Sequence, residues 1–359
     1  CRGARNRGEG KTNGCTDRKP GCPAITETEI ETPDQAHPFA TLTPDFLMDA
    51  VESRGYLCDG RLLPLNSYEN RVYQVGMEDG LPLIAKFYRP QRWSDEQILE
   101  EHQFCFDLVE QELPVVAPLV SQDGTSLFEY QGYRFALFPR KGGHAPEFDN
   151  LDNLLILGRL LGRIHLVGAS RRFVHRPELD LRSYGYDSVE LISQGFIPAE
   201  LKPAYDSLAK DLLQALEEII AAHRDVKLIR VHGDCHAGNI LWRDDNPHFV
   251  DFDDTRTAPV IQDIWMLLSG DRARQTAQLS EIVEGYNEFY DFQPRELRLI
   301  EVLRTLRIMH YSAWLAKRWN DPAFPLNFPW FNTVRYWSEH ILELREQYAA
   351  LQEPVLEIM

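Results

Sequence analysis

Long apolar runs are missing from this chain. No stretch approaches the roughly eighteen apolar residues of a membrane-spanning helix, and the leading segment has no apolar core of a signal peptide. No membrane partner is therefore expected, and a cytoplasmic location is the default. Cysteine is scarce as well: Cys1, Cys15, Cys22, Cys58, Cys105 and Cys235 are all there is in 359 residues. That is too sparse for a disulfide scaffold, so reduced thiols are expected. Positive charge is short, with 38 Lys and Arg against 55 Asp and Glu and a formal net charge of −17. Such a balance lacks the basic footprint of a nucleic-acid binder. Internal repeats and a glycine-rich G-x-G-x-x-G loop are also absent.

What is present divides into three parts. Residues 1–36 are rich in Gly, Arg, Thr, Glu and Pro and have almost no apolar periodicity. They bury too little surface to offset their ordering entropy and are expected to be a disordered extension. The chain opens on Cys rather than Met, as a fragment or processed product would. A metal knuckle of Cys1, Cys15 and Cys22 is the weak alternative. Residues 37–140 read as a β-rich N-terminal lobe that binds nucleotide. Thr43 and Pro44 suit the cap and first position of a short helix; strand-like runs follow at 61–65, 71–76 and 82–88, and a hairpin at 126–139. Residues 138–143, with Pro139, Gly142 and Gly143, break the pattern where a hinge would fall. Residues 141–359 are mainly helical, at about 150–168, 199–224, 273–289, 294–319 and 333–351.

Chemistry concentrates in residues 231–254, VHGDCHAGNILWRDDNPHFVDFDD. Asp234 stands five residues before Asn239, and Asp251 twelve beyond it. Phosphoryl transfer needs an acceptor for the incoming hydroxyl's proton and hard oxygen ligands for Mg²⁺. The kinase pattern H-R-D-x-x-x-x-N followed by D-F-G supplies them at this spacing. Here Gly233 replaces the Arg, and Asp251-Phe252-Asp253 stands in place of D-F-G. Asp, Asn and Gly are also ordinary turn residues, and His232, Asp234, Cys235 and His236 are types that suit zinc.

Lys86 interrupts an apolar strand, and either an edge position or a phosphate contact would explain it. In the next helix, over 94–112, Ser94 and Gln97 form a capping-box pattern. Glu101 falls on the apolar stripe with Ile98, Cys105 and Leu108, whereas Glu100 is rotated away. An inward carboxylate needs a cation, which pairs Glu101 with Lys86. Residues 65–70 lie where a kinase fold covers the nucleotide phosphates, with Ser67 as a candidate donor. His165, on the stripe of the helix over 150–168, reads as a hydrogen-bonded core residue. Asp263 reads as an acid that holds the catalytic loop or as one favoured by a helix N-terminus. The aromatic and proline-rich residues 319–330 read as a packed connection or as a substrate-facing wall.

The pattern HGD-x-x-x-x-N resembles the aminoglycoside phosphotransferase and choline kinase branch of the kinase fold. With Lys86-Phe87-Tyr88-Arg89-Pro90, Ile98-Leu99-Glu100-Glu101-His102-Gln103-Phe104 and Asp321-Pro322-Ala323-Phe324-Pro325, the chain is similar from about Pro38 onward to the bacterial stress response kinase A family. That resemblance implies an α+β, bilobal, aminoglycoside phosphotransferase-like fold. It also implies ATP- and Mg²⁺-dependent phosphorylation of Ser/Thr in protein substrates, with the chain itself as a further candidate acceptor, in a bacterial stress response. On this resemblance Asp234 is the proton acceptor, Asn239 and Asp251 are the metal ligands with Asp251 also catalytic, and Ser67 contacts ATP; Lys86 and Glu101 follow from the broader fold. A small-molecule kinase acting on an amino alcohol or aminoglycoside-like hydroxyl is the alternative, favoured by the acidic chain.

Overall fold

A computed structural model of the chain describes residues 38–244 and 246–358. The expected disordered extension over 1–36, with Cys1, Cys15 and Cys22, lies outside the described residues. Helix α1 (Pro44–Glu52) starts where Thr43, in extended backbone, takes the Phe46 amide on its side chain at 3.2 Å. Five antiparallel strands follow: β1 (Cys58–Pro64), β2 (Arg71–Met77) and β3 (Leu83–Phe87), then, after α2 (Asp95–Glu110), β4 (Phe128–Tyr130) and β5 (Tyr133–Pro139). Their spatial order is β1-β2-β3-β5-β4. Lys86 therefore lies on the central strand, opposite Val72 and Ala136, and the edge-strand explanation for it falls. Leu47 and Val51 of α1 pack with Val75, Ala85, Phe87 and Phe135 as the core of this part. The Ser94 capping box opens α2 as expected.

The rest of the chain is helical around two small two-stranded sheets. Its elements are α3 (Leu151–Gly168), α4 (Asp187–Gly195), α5 (Lys202–Ala222), β6 (Ile229–Val231), β7 (Ile240–Arg243), β8 (Asn246–Phe249), β9 (Arg256–Ala258), α6 (Ile261–Trp265), α7 (Arg272–Asn287), α8 (Ile300–Lys317), α9 (Ala323–Asn327) and α10 (Val334–Ala350). β6 pairs with β9 and β7 with β8. One core joins α3 and α7 to these sheets; another joins α5, α8 and α10.

Three differences from expectation stand out. The helix expected over 294–319 begins as a 3-10 turn, Pro294–Leu299, and α8 takes over at Ile300. Within 319–330 the short α9 buries Phe324, and Phe328 is buried just behind it. The stretch between α3 and α5, for which no element was expected, holds a single π turn, Arg182–Tyr186, that runs directly into α4. Among the described residues, no helix is long and apolar enough to cross a membrane.

Candidate active site

Strand β6 is buried along its length and hands the chain to His232, Gly233 and Asp234. Gly233 has φ +86°, and a Cβ there would stand 2.2 Å from the carbonyl oxygen of Asp254. A side chain of any kind is barred from the position that holds Arg in H-R-D. The amides of His232 and Gly233 both donate to the buried Asp263 carboxylate, at 2.8 Å each. His165 Nε2 lies 3.0 Å from Asp263 Oδ2, and its Nδ1 lies 2.9 Å from the Tyr286 hydroxyl. α3 approaches α7 closely enough for this because Gly162 has no side chain: a Cβ would meet the Tyr286 carbonyl at 2.6 Å. His165 is thus a hydrogen-bonded core residue, as expected. Asp263 acts on the loop through direct hydrogen bonds, and the five-residue α6 is too short for its dipole to matter much.

Asp234 emerges from this turn mostly buried. Arg307 Nη1 of α8 lies 2.8 Å from its Oδ1, and His236 Nε2 lies 3.4 Å from its Oδ2. Burial pushes the Asp234 carboxyl up, but His236 and Arg307 outweigh it and hold the group below the ordinary carboxylate range. Asn239 donates from Nδ2 to the Asp234 carbonyl at 2.9 Å, which leaves Oδ1 as the oxygen a cation would take. The Asn239 carbonyl in turn accepts from the Val250 amide at 3.0 Å, tying it to the residue before Asp251. Asp251 has φ +59°, an uncommon conformation for a residue with a side chain. Its side chain is 54% exposed, so one oxygen reaches Lys86 while the carboxylate stays open to the cleft.

Lys86 is buried and touches three carboxylates: Asp253 Oδ1 at 3.0 Å, Asp251 Oδ1 at 3.1 Å and Glu101 Oε1 at 3.3 Å. Burial disfavours its charge, yet Asp251, Asp253 and Glu101 more than compensate and raise its pKa well above the ordinary lysine value. The Lys86–Glu101 pair inferred from the helical stripe is therefore formed. Asp253 occupies the place of glycine in D-F-G and is buried between Lys86 and Arg92. Burial raises its carboxyl, but Arg92, Lys86 and Arg176 outweigh that and depress it well below the usual range.

Arg176 donates from Nη2 to Glu101 Oε2 at 2.7 Å and from Nη1 to the Asp253 carbonyl at 2.6 Å. Glu100, facing the other way, accepts the amides of Val174, His175 and Arg176 at 2.7 to 2.8 Å and so places that arginine. Arg92, Arg176 and Arg307 went unforeseen, since each meets its partner across more than seventy residues of chain. Asp253 had a signal, the acid in place of the expected glycine.

The Ser67 hydroxyl donates to the Asn70 carbonyl at 3.1 Å, within its own loop. That loop is fastened to the helical part through Glu69, which takes Trp314 Nε1 at 2.5 Å and Arg318 Nη2 at 2.8 Å. Arg89, just beyond β3, pairs with Asp321 at 2.8 Å, and Tyr68 meets Phe328 with ring centroids 4.8 Å apart. The aromatic connection over 319–330 is thus both packed on the helices and in contact with the Ser67 loop.

Comparison with known proteins shows the family and the fold. The model of the phosphotransferase enzyme family matches residues 61–300. Stress response kinase A of Escherichia coli (strain K12) is 48% identical over 331 residues, covering 90% of this chain and 98% of that protein. Serine/threonine protein kinase RdoA of Salmonella typhimurium is 47% identical over 326 residues, with coverage of 90% and 98%. Among solved structures, amicoumacin kinase hAmiN in complex with AMP-PNP and Ca²⁺ superposes with a TM-score of 0.66 at 19% identity, covering 87% of this chain and 95% of that one. The microcompartment-associated aminopropanol kinase does so with a TM-score of 0.63 at 17% identity, covering 86% and 99%. The fold is accordingly α+β and aminoglycoside phosphotransferase-like, a β-sheet N-terminal part followed by a helical C-terminal part. The chain is a kinase that belongs to the phosphotransferase enzyme family and, within it, to the stress response kinase A proteins.

Proposed function

We propose that the chain is an ATP- and Mg²⁺-dependent serine/threonine protein kinase that acts in a bacterial stress response in the cytoplasm. The observation that carries this reading is the meeting at Lys86 of Glu101 from α2 and Asp251 from behind the catalytic loop. An ammonium held by carboxylates from both parts of the molecule is placed to grip nucleotide phosphates. The name of the 47% identical relative, serine/threonine protein kinase RdoA, supports protein as the acceptor.

Asn239 Oδ1 and Asp251 would hold the metal, and two protein oxygens suit Mg²⁺, which keeps water and phosphate oxygens in the rest of its shell. Once bound, the ion supplies neutralisation of charge on the phosphate oxygens. The Ser67 loop covers the phosphates. Asp234 orients the acceptor hydroxyl, whose oxygen attacks the γ-phosphorus. An O–P bond forms as the bond from phosphorus to the β–γ bridging oxygen breaks, ADP leaves with that electron pair, and the hydroxyl proton passes to Asp234. A carboxylate held below its ordinary pKa is a weak base, so that proton moves late, when transfer is well advanced.

The test is ³²P transfer from ATP to a generic protein and to the chain itself. Asp234→Ala is expected to lower incorporation at least about 10³-fold. No incorporation with the wild type, or equal incorporation with the variant, overturns the reading. A small-molecule acceptor is the second reading, favoured by fold neighbours named as kinases of amicoumacin and aminopropanol. Robust ADP release with an amino alcohol and no protein labelling would support it instead.

A further inference from the structure

The two oxygens of Asp234 face different neighbours. Oδ2 is turned to His236 and to Asn239 Nδ2, both at 3.4 Å, on the side of the residues assigned to the metal. Oδ1 is turned to α8, where Arg307 Nη1 lies 2.8 Å away. Arg307 is not an isolated surface cation. Arg307, Tyr311, Trp314 and Arg318 are spaced i, i+4, i+7 and i+11, one face of α8 continued onto its C-cap residue. The far end of that face holds the Ser67 loop through Glu69, and Tyr311 stacks on Trp314 with centroids 5.8 Å apart. This face therefore runs from the base to the phosphate-covering loop, about 16 Å along the helix, and forms a wall of the acceptor side. Arg307 is 45% exposed, and one of its five N–H groups is committed to Asp234.

An acceptor hydroxyl that reaches Asp234 must come alongside this guanidinium. Paired though it is with Asp234, the guanidinium still offers its remaining donors to an oxyanion and has no acceptor for an ammonium group. The other carboxylates brought to this wall provide no counterweight: Glu69 is ion-paired to Arg318 and Arg89, Asp254 to Arg92 and Arg256, and Asp321 to Arg89. The net charge of −17 is thus offset along this wall by these ion pairs.

We propose that Arg307 is a specificity-determining residue that selects acceptors with an acidic group beside the hydroxyl, a Ser or Thr flanked by Asp or Glu, against amino alcohols. This rests on the phosphotransfer reading above. The full chain is assayed with [γ-³²P]ATP on three Ser/Thr peptides that differ only in flanking Asp, Ala or Lys, and on an amino alcohol. Coupled ADP release without acceptor is measured in parallel.

For the wild type, kcat/KM is expected to be about tenfold higher on the Asp-flanked peptide than on the Ala-flanked one, and lowest on the Lys-flanked peptide and the amino alcohol. Arg307→Gln is expected to raise KM for the Asp-flanked peptide until the three peptides are nearly equal. Arg307→Lys should restore most of the preference, and Arg307→Glu should invert it. Equal turnover of the three peptides by the wild type, or a uniform fall in kcat in Arg307→Gln with the wild-type ranking intact, overturns the proposal; the second result would make Arg307 a positioning residue for Asp234. If ADP release and labelling are nil for every acceptor, the phosphotransfer reading itself fails, a result distinct from turnover without acidic preference.

Discussion

Replacing Asp263 with Asn tests whether the catalytic loop is held by one buried carboxylate. Asp263 is fully buried and accepts three hydrogen bonds, from the His232 and Gly233 amides at 2.8 Å and from His165 Nε2 at 3.0 Å. Asparagine keeps the shape but turns one accepting oxygen into an NH₂ that faces a donor. Hydrogen bonds to a charged acceptor contribute about 1.5 to 3 kcal/mol each, and losing one outright while weakening the others gives roughly 4 kcal/mol. Unfolding entropy for a unit the size of His37–Met359 is about 0.7 kcal/mol/K, so the melting temperature should fall by about 6 °C.

The larger effect is kinetic. Asp234 directly follows the two anchored amides, and a shift of about 1 Å in a reacting group costs on the order of 10²-fold in rate. Lys86 and Glu101 sit on other elements, so KM for ATP should stay within about threefold. Differential scanning fluorimetry and coupled ADP release measure both. A folded Asp263→Asn protein with kcat within about threefold of wild type would refute the reasoning. It would mean that the remaining ties, Gln262 Nε2 to the Gly233 carbonyl at 2.9 Å and Thr255 Oγ1 to the Val231 carbonyl at 2.5 Å, suffice.

Gly233→Ala combines a left-handed backbone with a Cβ placed 2.2 Å from the Asp254 carbonyl, and it should cost more than about 3 kcal/mol in urea unfolding; an unchanged midpoint would contradict this. Glu296 is buried and accepts the Ile261 amide at 3.2 Å; burial raises its pKa from 4.5 to about 7. The folded state binds this proton more tightly than the unfolded one, so the contribution is complete below about pH 4.5 and is lost as pH rises through 7. That loss is roughly 3 kcal/mol. Glu296→Gln should be more stable than wild type at pH 8 and should flatten the dependence of the urea midpoint between pH 5 and 8; identical slopes would count against it.

Local rules carried the elements and the linear motif. Thr43 with Pro44 and Ser94 with Gln97 act within one helical turn, so their caps could be read directly. The spacing of Asp234, Asn239 and Asp251 was equally legible, because a turn and a short hairpin bring them together locally. Lys86 and Glu101 were reachable by one physical argument, that an inward carboxylate on the α2 stripe needs a cation. The break at Ile300 and the five-residue α6 were not, since packing decides where such short helices end.

Which groups surround the site was decided only by the tertiary structure. Arg92, Arg176 and Arg307 reach Asp253, Glu101 and Asp234 across 161, 75 and 73 residues of chain, distances over which no pattern in the sequence pairs one charge with another. The sequence by itself determined the local elements and the family, because the spacing of Asp234, Asn239 and Asp251 is a linear pattern that can be read without the fold. The structure decided the electrostatics, because an overall charge of −17 says nothing about which side chains converge, and at Asp234 the fold places an arginine.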